Sequence, residues 1–250
     1  MYFGYKQTLD WCRRVSQIAS IHPAVALGYV DLFVLPSAPT LSQVRPMLSS
    51  CGVGLGAQNF HYEDAGAFTG EVSGKFLHEL GCSHAEIGHA ERKALFHESD
   101  TDVALKVAAA FRNQLVPILC IGESQNLGPE LAAEVCIAQI QKAIELLGDR
   151  PSPMVLAYEP IWAIGATEPA SVEHIAAVAK PIQEFVKTHE QLAGSKVIYG
   201  GTAGPGLLSS LGHNIDGLFL GRLAHNPENL ITILDEALRI ATDTGVAKAS

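Results

Sequence analysis

The sequence predicts a parallel (β/α)8 barrel, and three observations predict it. Short, apolar, β-branched runs alternate with longer amphipathic segments at intervals of roughly 25–40 residues. Several short runs, among them VPILCI (116–121) and MVLAY (154–158), are apolar on both faces, as parallel strands covered by helices must be. The 250 residues, 48% hydrophobic and 17% charged, suffice for one large core and carry too little charge for a disordered chain. No composition shift, low-complexity linker or charge run divides the sequence, so it reads as one domain over residues 1–250.

The strand candidates in order are 30–35, 52–57, 84–88, 116–121, 154–158, 196–199 and 217–220. Helical patterns with readable ends lie between them. Ser99 or Asp100 can cap a helix carrying Val103, Val107 and Phe111 on one face. Pro129 opens a helix with Ile137, Ile140, Ile144 and Leu147, closed by Gly148. Asn226 and Pro227 start the last one, with Leu230, Leu234 and Leu238 inward. The chain itself opens on a helix over 8–19, with Trp11, Val15 and Ile18 facing the core. An eightfold barrel begins with a strand. That first strand is therefore expected to be truncated to a stub at 1–5 or to lie upstream of Met1.

The net charge of −9 and the lack of any basic block exclude an electrostatic footprint for nucleic acid or anionic membrane. A small anionic ligand stays compatible, because one pocket can oppose the global charge. Five scattered cysteines without a CxxC pair argue for a reducing compartment. No leader pattern is visible at the start, and no apolar run approaches the roughly 20 residues of a membrane span. The expectation is a soluble, cytoplasmic protein. Without HxH, HExxH or GxGxxG spacing, neither a metal nor a dinucleotide cofactor is expected.

Three segments stand where strands give way to loops, the face on which parallel barrels build active sites: GHAERK (88–93), AYEPIWAIG (157–165) and YGGTA (199–203). Glu159 ends an apolar strand. Partial desolvation there raises a carboxylate's pKa and makes it a better base near neutrality, although a plain surface glutamate fits the position too. The apolar Pro-Ile-Trp-Ala-Ile-Gly that follows suits a lid excluding water, or a buried structural loop. His89, at the start of a helix, would be kept neutral by the helix dipole and could donate to a carbonyl oxygen; a structural histidine is the bland alternative. Glu91 and Arg92 read as a salt-bridged pair or as support for the site. Gly200-Gly201-Thr202 and Gly221-Arg222 close the last two strand candidates, where barrels often hold phosphate, and Arg222 adds a cation.

Seven motifs occur in the order of one family: GAQN (56–59), GAFTGE (66–71), GHAERK, CIGE (120–123), AYEPIWAIG, YGGT (199–202) and DGLFLG (216–221). From about Val30 onward the sequence resembles triosephosphate isomerase. The resemblance implies a cofactor-free, dimeric (β/α)8 barrel that interconverts an aldose and a ketose phosphate. It makes Glu159 the proton-shuttling base, His89 the carbonyl-polarising group and Glu91 a supporting acid. It makes 161–167 the lid, with Gly165, Thr202 and the Gly221–Arg222 turn binding phosphate. Thr69 would reach the partner subunit's site, beside an interface framed by Gln58 and Asn59.

Four departures stand out. The family's GHSERR has Ala90 for the serine, and its TGK lid hinge reads Ala166-Thr167-Glu168. The second glycine of its last turn is Arg222. Its opening Asn-x-Lys is missing, so either Lys6 or an upstream lysine would supply the site's cation. A barrel short of one strand exposes two edges, and the chain as given is expected to fold poorly or be inactive beside an extended one. The leading function is interconversion of dihydroxyacetone phosphate and glyceraldehyde 3-phosphate. One rival is an isomerase of another small ketose phosphate such as erythrulose phosphate, the other an inactive phosphosugar-binding barrel.

Overall fold

The structure is a computed structural model and describes residues 2–149 and 151–243. Its frame is one sheet of seven parallel strands in sequential order: β1 (Phe33–Val34), β2 (Gly54–Ala57), β3 (His84–Ile87), β4 (Val116–Ile121), β5 (Val155–Tyr158), β6 (Lys196–Tyr199) and β7 (Gly217–Leu218). Each falls inside a segment the sequence marks as a strand. Every strand pairs in parallel with the next, the register running from Phe33 opposite Gly54 to Tyr199 opposite Leu218. Among the described residues, no strand joins β1 to β7.

Helices cover the outer face: α1 (Tyr5–Ile21), α2 (Pro23–Ala26), α3 (Leu41–Ser49), α4 (Gly74–Glu79), α5 (Ala90–Phe96), α6 (Asp100–Arg112), α7 (Pro129–Ile144), α8 (Val172–Thr188), α9 (Leu207–Leu211) and α10 (Glu228–Asp243). Their inward stripes, such as Val103 and Val107 on α6 or Ile175, Val178 and Ile182 on α8, are buried against the sheet. The α6 start is set by a capping box: Ser99 Oγ accepts the Asp102 N–H and Asp102 accepts the Ser99 N–H. Caps of this kind contribute about 1 kcal/mol. α7 ends at Ile144, short of the expected Gly148, and α10 starts one residue beyond Pro227.

The chain's opening corrects one alternative. Tyr2–Gly4 form no strand, and Tyr5 already belongs to α1, so the described part of the 1–5 stub is not a strand. Lys6 lies exposed in the first turn of that helix. Inside the sheet's curve, Ile118, Cys120, Ala157 and Ile198 pack with Phe33, Leu35, Val155 and Phe219. Phe33 from β1 and Phe219 just after β7 bring their rings to 6.5 Å across the seam, and Phe33 stacks on His84 at 4.6 Å. All seven strands point the same way, so their C-terminal ends and the loops that follow share one rim.

Candidate active site

Glu159 leaves the end of β5 with its N–H bonded to the Ile121 carbonyl at 2.7 Å, and it is 5% exposed. Its carboxylate lies against the end of β6. A Cβ at Gly200 would stand 2.6 Å from Oε1, and any side chain at Gly122 would strike the Glu159 carbonyl. Both positions therefore need glycine. Oε2 is buried with no hydrogen-bond partner. Burial pushes this carboxyl well above the ordinary range, the nearby Glu86 and Glu91 charges push the same way, and the Cys120 thiol acts in opposition. A buried carboxylate with an unused lone pair is suited to accept a proton from carbon.

His89 faces it. Gly88 turns the chain with a φ of +75°, a conformation glycine adopts freely, and His89 then caps α5. Nδ1 accepts the Glu91 N–H at 3.2 Å, which leaves the ring proton on Nε2, 3.7 Å from Glu159 Oε2. Burial lowers the imidazole pKa, and Glu91 only partly restores it. The ring is thus a neutral Nε2–H donor beside the Glu159 carboxylate. Glu91 itself is largely exposed, its carboxylate 4.0 Å from Nδ1.

The loop after Glu159 forms a short 3-10 turn, Ile161–Ala163, fastened by side chains on three sides. Trp162 Nε1 donates to Glu123 at 2.7 Å, Thr202 Oγ1 donates to the Ala163 and Ala166 carbonyls, and the Tyr199 hydroxyl accepts the Ala170 N–H. Thr202 therefore ties this loop in its conformation. Gly165, at φ +73°, is exposed, and a Cβ there would meet an Arg222 guanidinium nitrogen at 3.2 Å. Gly221 and Arg222 are exposed at the same rim, where Arg222 begins a 3-10 turn. The structure thus gathers Glu159 and His89 at one point, with Gly165 and Arg222 close together beside the Thr202-tied loop. Among the described residues, no group of three or more His, Cys, Asp or Glu is placed to hold a metal ion.

A site of this shape on a parallel barrel invites comparison with known proteins. The triosephosphate isomerase family model matches residues 1–237. The chain belongs to the triosephosphate isomerase family. It is 49% identical to an L-erythrulose-1-phosphate isomerase of Pectobacterium atrosepticum, over 97% of this chain and 94% of that protein. It is 35% identical to a triosephosphate isomerase of Lactobacillus gasseri, over 94% of each. The crystal structure of triosephosphate isomerase from Bartonella henselae superposes with a TM-score of 0.80 at 27% identity, covering 96% of both chains. The fold is accordingly the (β/α)8 type, with seven strands among the described residues.

Within this triosephosphate isomerase framework the structure adds residues that sequence reasoning passed over. Glu123, 1% exposed, accepts hydrogen bonds from Trp162 and the Tyr158 hydroxyl, and His174 contacts that hydroxyl at 3.1 Å. Its signal was the one that flagged Glu159, a carboxylate just past an apolar strand. Cys120 and Glu86 meet near Glu159, Sγ to Oε1 at 3.9 Å. Glu86 gave only the faint signal of an acid inside an otherwise apolar run. Elsewhere, Glu98 joins Arg92 and Lys106 in a buried ion network that reaches Asn59, behind the helix that His89 caps.

Proposed function

We propose that this isomerase moves the carbonyl of a small phosphorylated ketose by one carbon through an enediolate, with an erythrulose phosphate as its preferred substrate. The observation that carries the chemistry is the pair at the rim: an unpartnered, desolvated Glu159 carboxylate 3.7 Å from a neutral His89 Nε2. Glu159 takes the proton from the carbon next to the carbonyl. His89 donates to the carbonyl oxygen as charge develops and carries the proton of the neighbouring hydroxyl over to that oxygen, while Glu159 returns the carbon proton to the former carbonyl carbon. The Gly165 amide, Thr202, the Gly221 turn and Arg222 hold the phosphate, the lid over 161–167 keeps water from the enediolate, and Glu91 supports His89. In a 1-phosphotetrulose, this transfer carries the carbonyl from C2 to C3, so both partners are ketoses.

The four-carbon reading is favoured by the 49% identical relative and by Arg222, which alters the last phosphate turn. Conversion of dihydroxyacetone phosphate to glyceraldehyde 3-phosphate is the second reading, supported by the Lactobacillus gasseri relative. Two copies pair through the 66–71 loop, an arrangement supported by the exposure of Phe68 and Thr69. The test is kcat/KM on both substrates side by side, with Glu159→Gln as control. We expect the tetrulose phosphate to be preferred by at least about tenfold. Glu159→Gln should cost about 10³-fold or more while phosphate-ester binding persists. Preference for the triose refutes the four-carbon reading, and turnover that survives Glu159→Gln refutes the base.

A further inference from the structure

Glu86 is the second carboxyl under the rim, and the reaction as described makes no use of it. It sits on β3 three residues before His89, and it alternates with Ala85 and Ile87, which face the helices. Its own side is the barrel interior, among Ile118, Cys120 and Ala157. Its hydrogen-bond partner among the described residues is the Cys120 thiol from β4, 3.9 Å from Oε1. That thiol also lies within the electrostatic reach of Glu159. One thiol therefore bonds to Glu86 and acts on Glu159 as well. The charged groups around Glu86 are Glu159 past β5, Glu91 and Arg92 on α5, and Glu98 behind them. Arg92 is the one cation among these, and its guanidinium is bonded to Glu98.

Two carboxylates that act on each other at one rim, Glu159 buried and Glu86 partly buried, cannot both be ionised without strong repulsion. The thiol has a single proton to give. When Glu86 is neutral, its O–H can point to the sulfur and free the S–H for Glu159. When Glu86 is ionised, it competes for that S–H and places a negative charge under the enediolate. We infer that Glu86 is a positioning residue for the base: as the neutral acid it braces the Glu159 carboxylate through Cys120, and as the anion it opposes the reaction. Burial and the adjacent Glu91 charge raise Glu86 to about 8. The bracing form therefore prevails below that pH and is lost above it.

This inference rests on the proposed isomerase chemistry, and its test separates the two. The kcat/KM of wild type, Glu86→Gln and Glu86→Val is measured from about pH 6 to pH 10 on whichever ketose phosphate is turned over, with Glu159→Gln as the base control. Wild type should lose about tenfold between pH 7 and pH 9. Glu86→Gln, which keeps a neutral donor, should change by less than about threefold over that span, after a few-fold loss at pH 7. Glu86→Val serves should the glutamine variant not fold: it should also lack the alkaline fall, with lower turnover throughout. An unchanged alkaline fall in the variants overturns the inference, as does folded Glu86→Gln that is dead at every pH. A wild type inactive on both substrates overturns the isomerase reading and this inference together. Turnover surviving Glu159→Gln overturns the base assignment and with it the bracing role of Glu86, whereas an unchanged alkaline fall with Glu159→Gln inactive overturns the Glu86 role alone.

Discussion

At the scale of single residues, the site is a matter of what each neighbour withholds. Glu159 has no donor on Oε2, and His89 has its Nδ1 occupied by the backbone, so the proposed base and the proposed hydrogen-bond donor are each held in one form. These two were legible from sequence because they end apolar strands, where a polar side chain has to be explained. Glu86 was not legible, because one acid within a strand run reads equally as an outward-facing surface residue. Only the register with β4 places it inside. Arg222 belongs to this scale as well. Its guanidinium meets Gly165 at the lid, so Arg222→Gly, which restores the family's double glycine, should raise KM for the phosphorylated substrate by about tenfold. Inorganic phosphate inhibition constants measured in both proteins check this, and an unchanged constant removes Arg222 from the phosphate site.

At the scale of elements, edges explain where sequence reading overshot. The run 30–35 supplies only Phe33 and Val34 to the sheet, and 217–220 only Gly217 and Leu218. Both are outer strands, paired on one side, whereas β4, paired on both sides, fills its whole expected span. Behind α5, burial alone would raise Glu98, but the hydrogen bonds from Lys106 and Arg92 hold it below the usual carboxylate range. A lowered folded-state pKa means that this contribution is complete above the unfolded-state value and fades as pH falls through the folded one. Thermal stability should therefore decline in acid below about pH 4. Lys106→Met should cost about 3 kcal/mol at neutral pH by stripping a buried partner from Glu98, and should flatten the acid decline. Melting temperatures of the two proteins across pH test both statements.

At the scale of the whole molecule, the seam between β1 and β7 carries the last consequence. The outer sides of two like-directed strands flank it, spanned near the middle by the Phe33 and Phe219 rings. Strand margins of this kind recruit further strands. Against that pull stands the net charge of −9, which keeps copies apart through a field that salt weakens. Colloidal behaviour thus becomes a contest between short-range backbone pairing and long-range repulsion. Light scattering on warming should show clustering that sets in at lower temperature as sodium chloride is added, and a lysine introduced at the exposed Asp31, ahead of β1, should hasten it by cutting the repulsion. Salt-independent scattering would mean that the aromatic bridge already seals the rift.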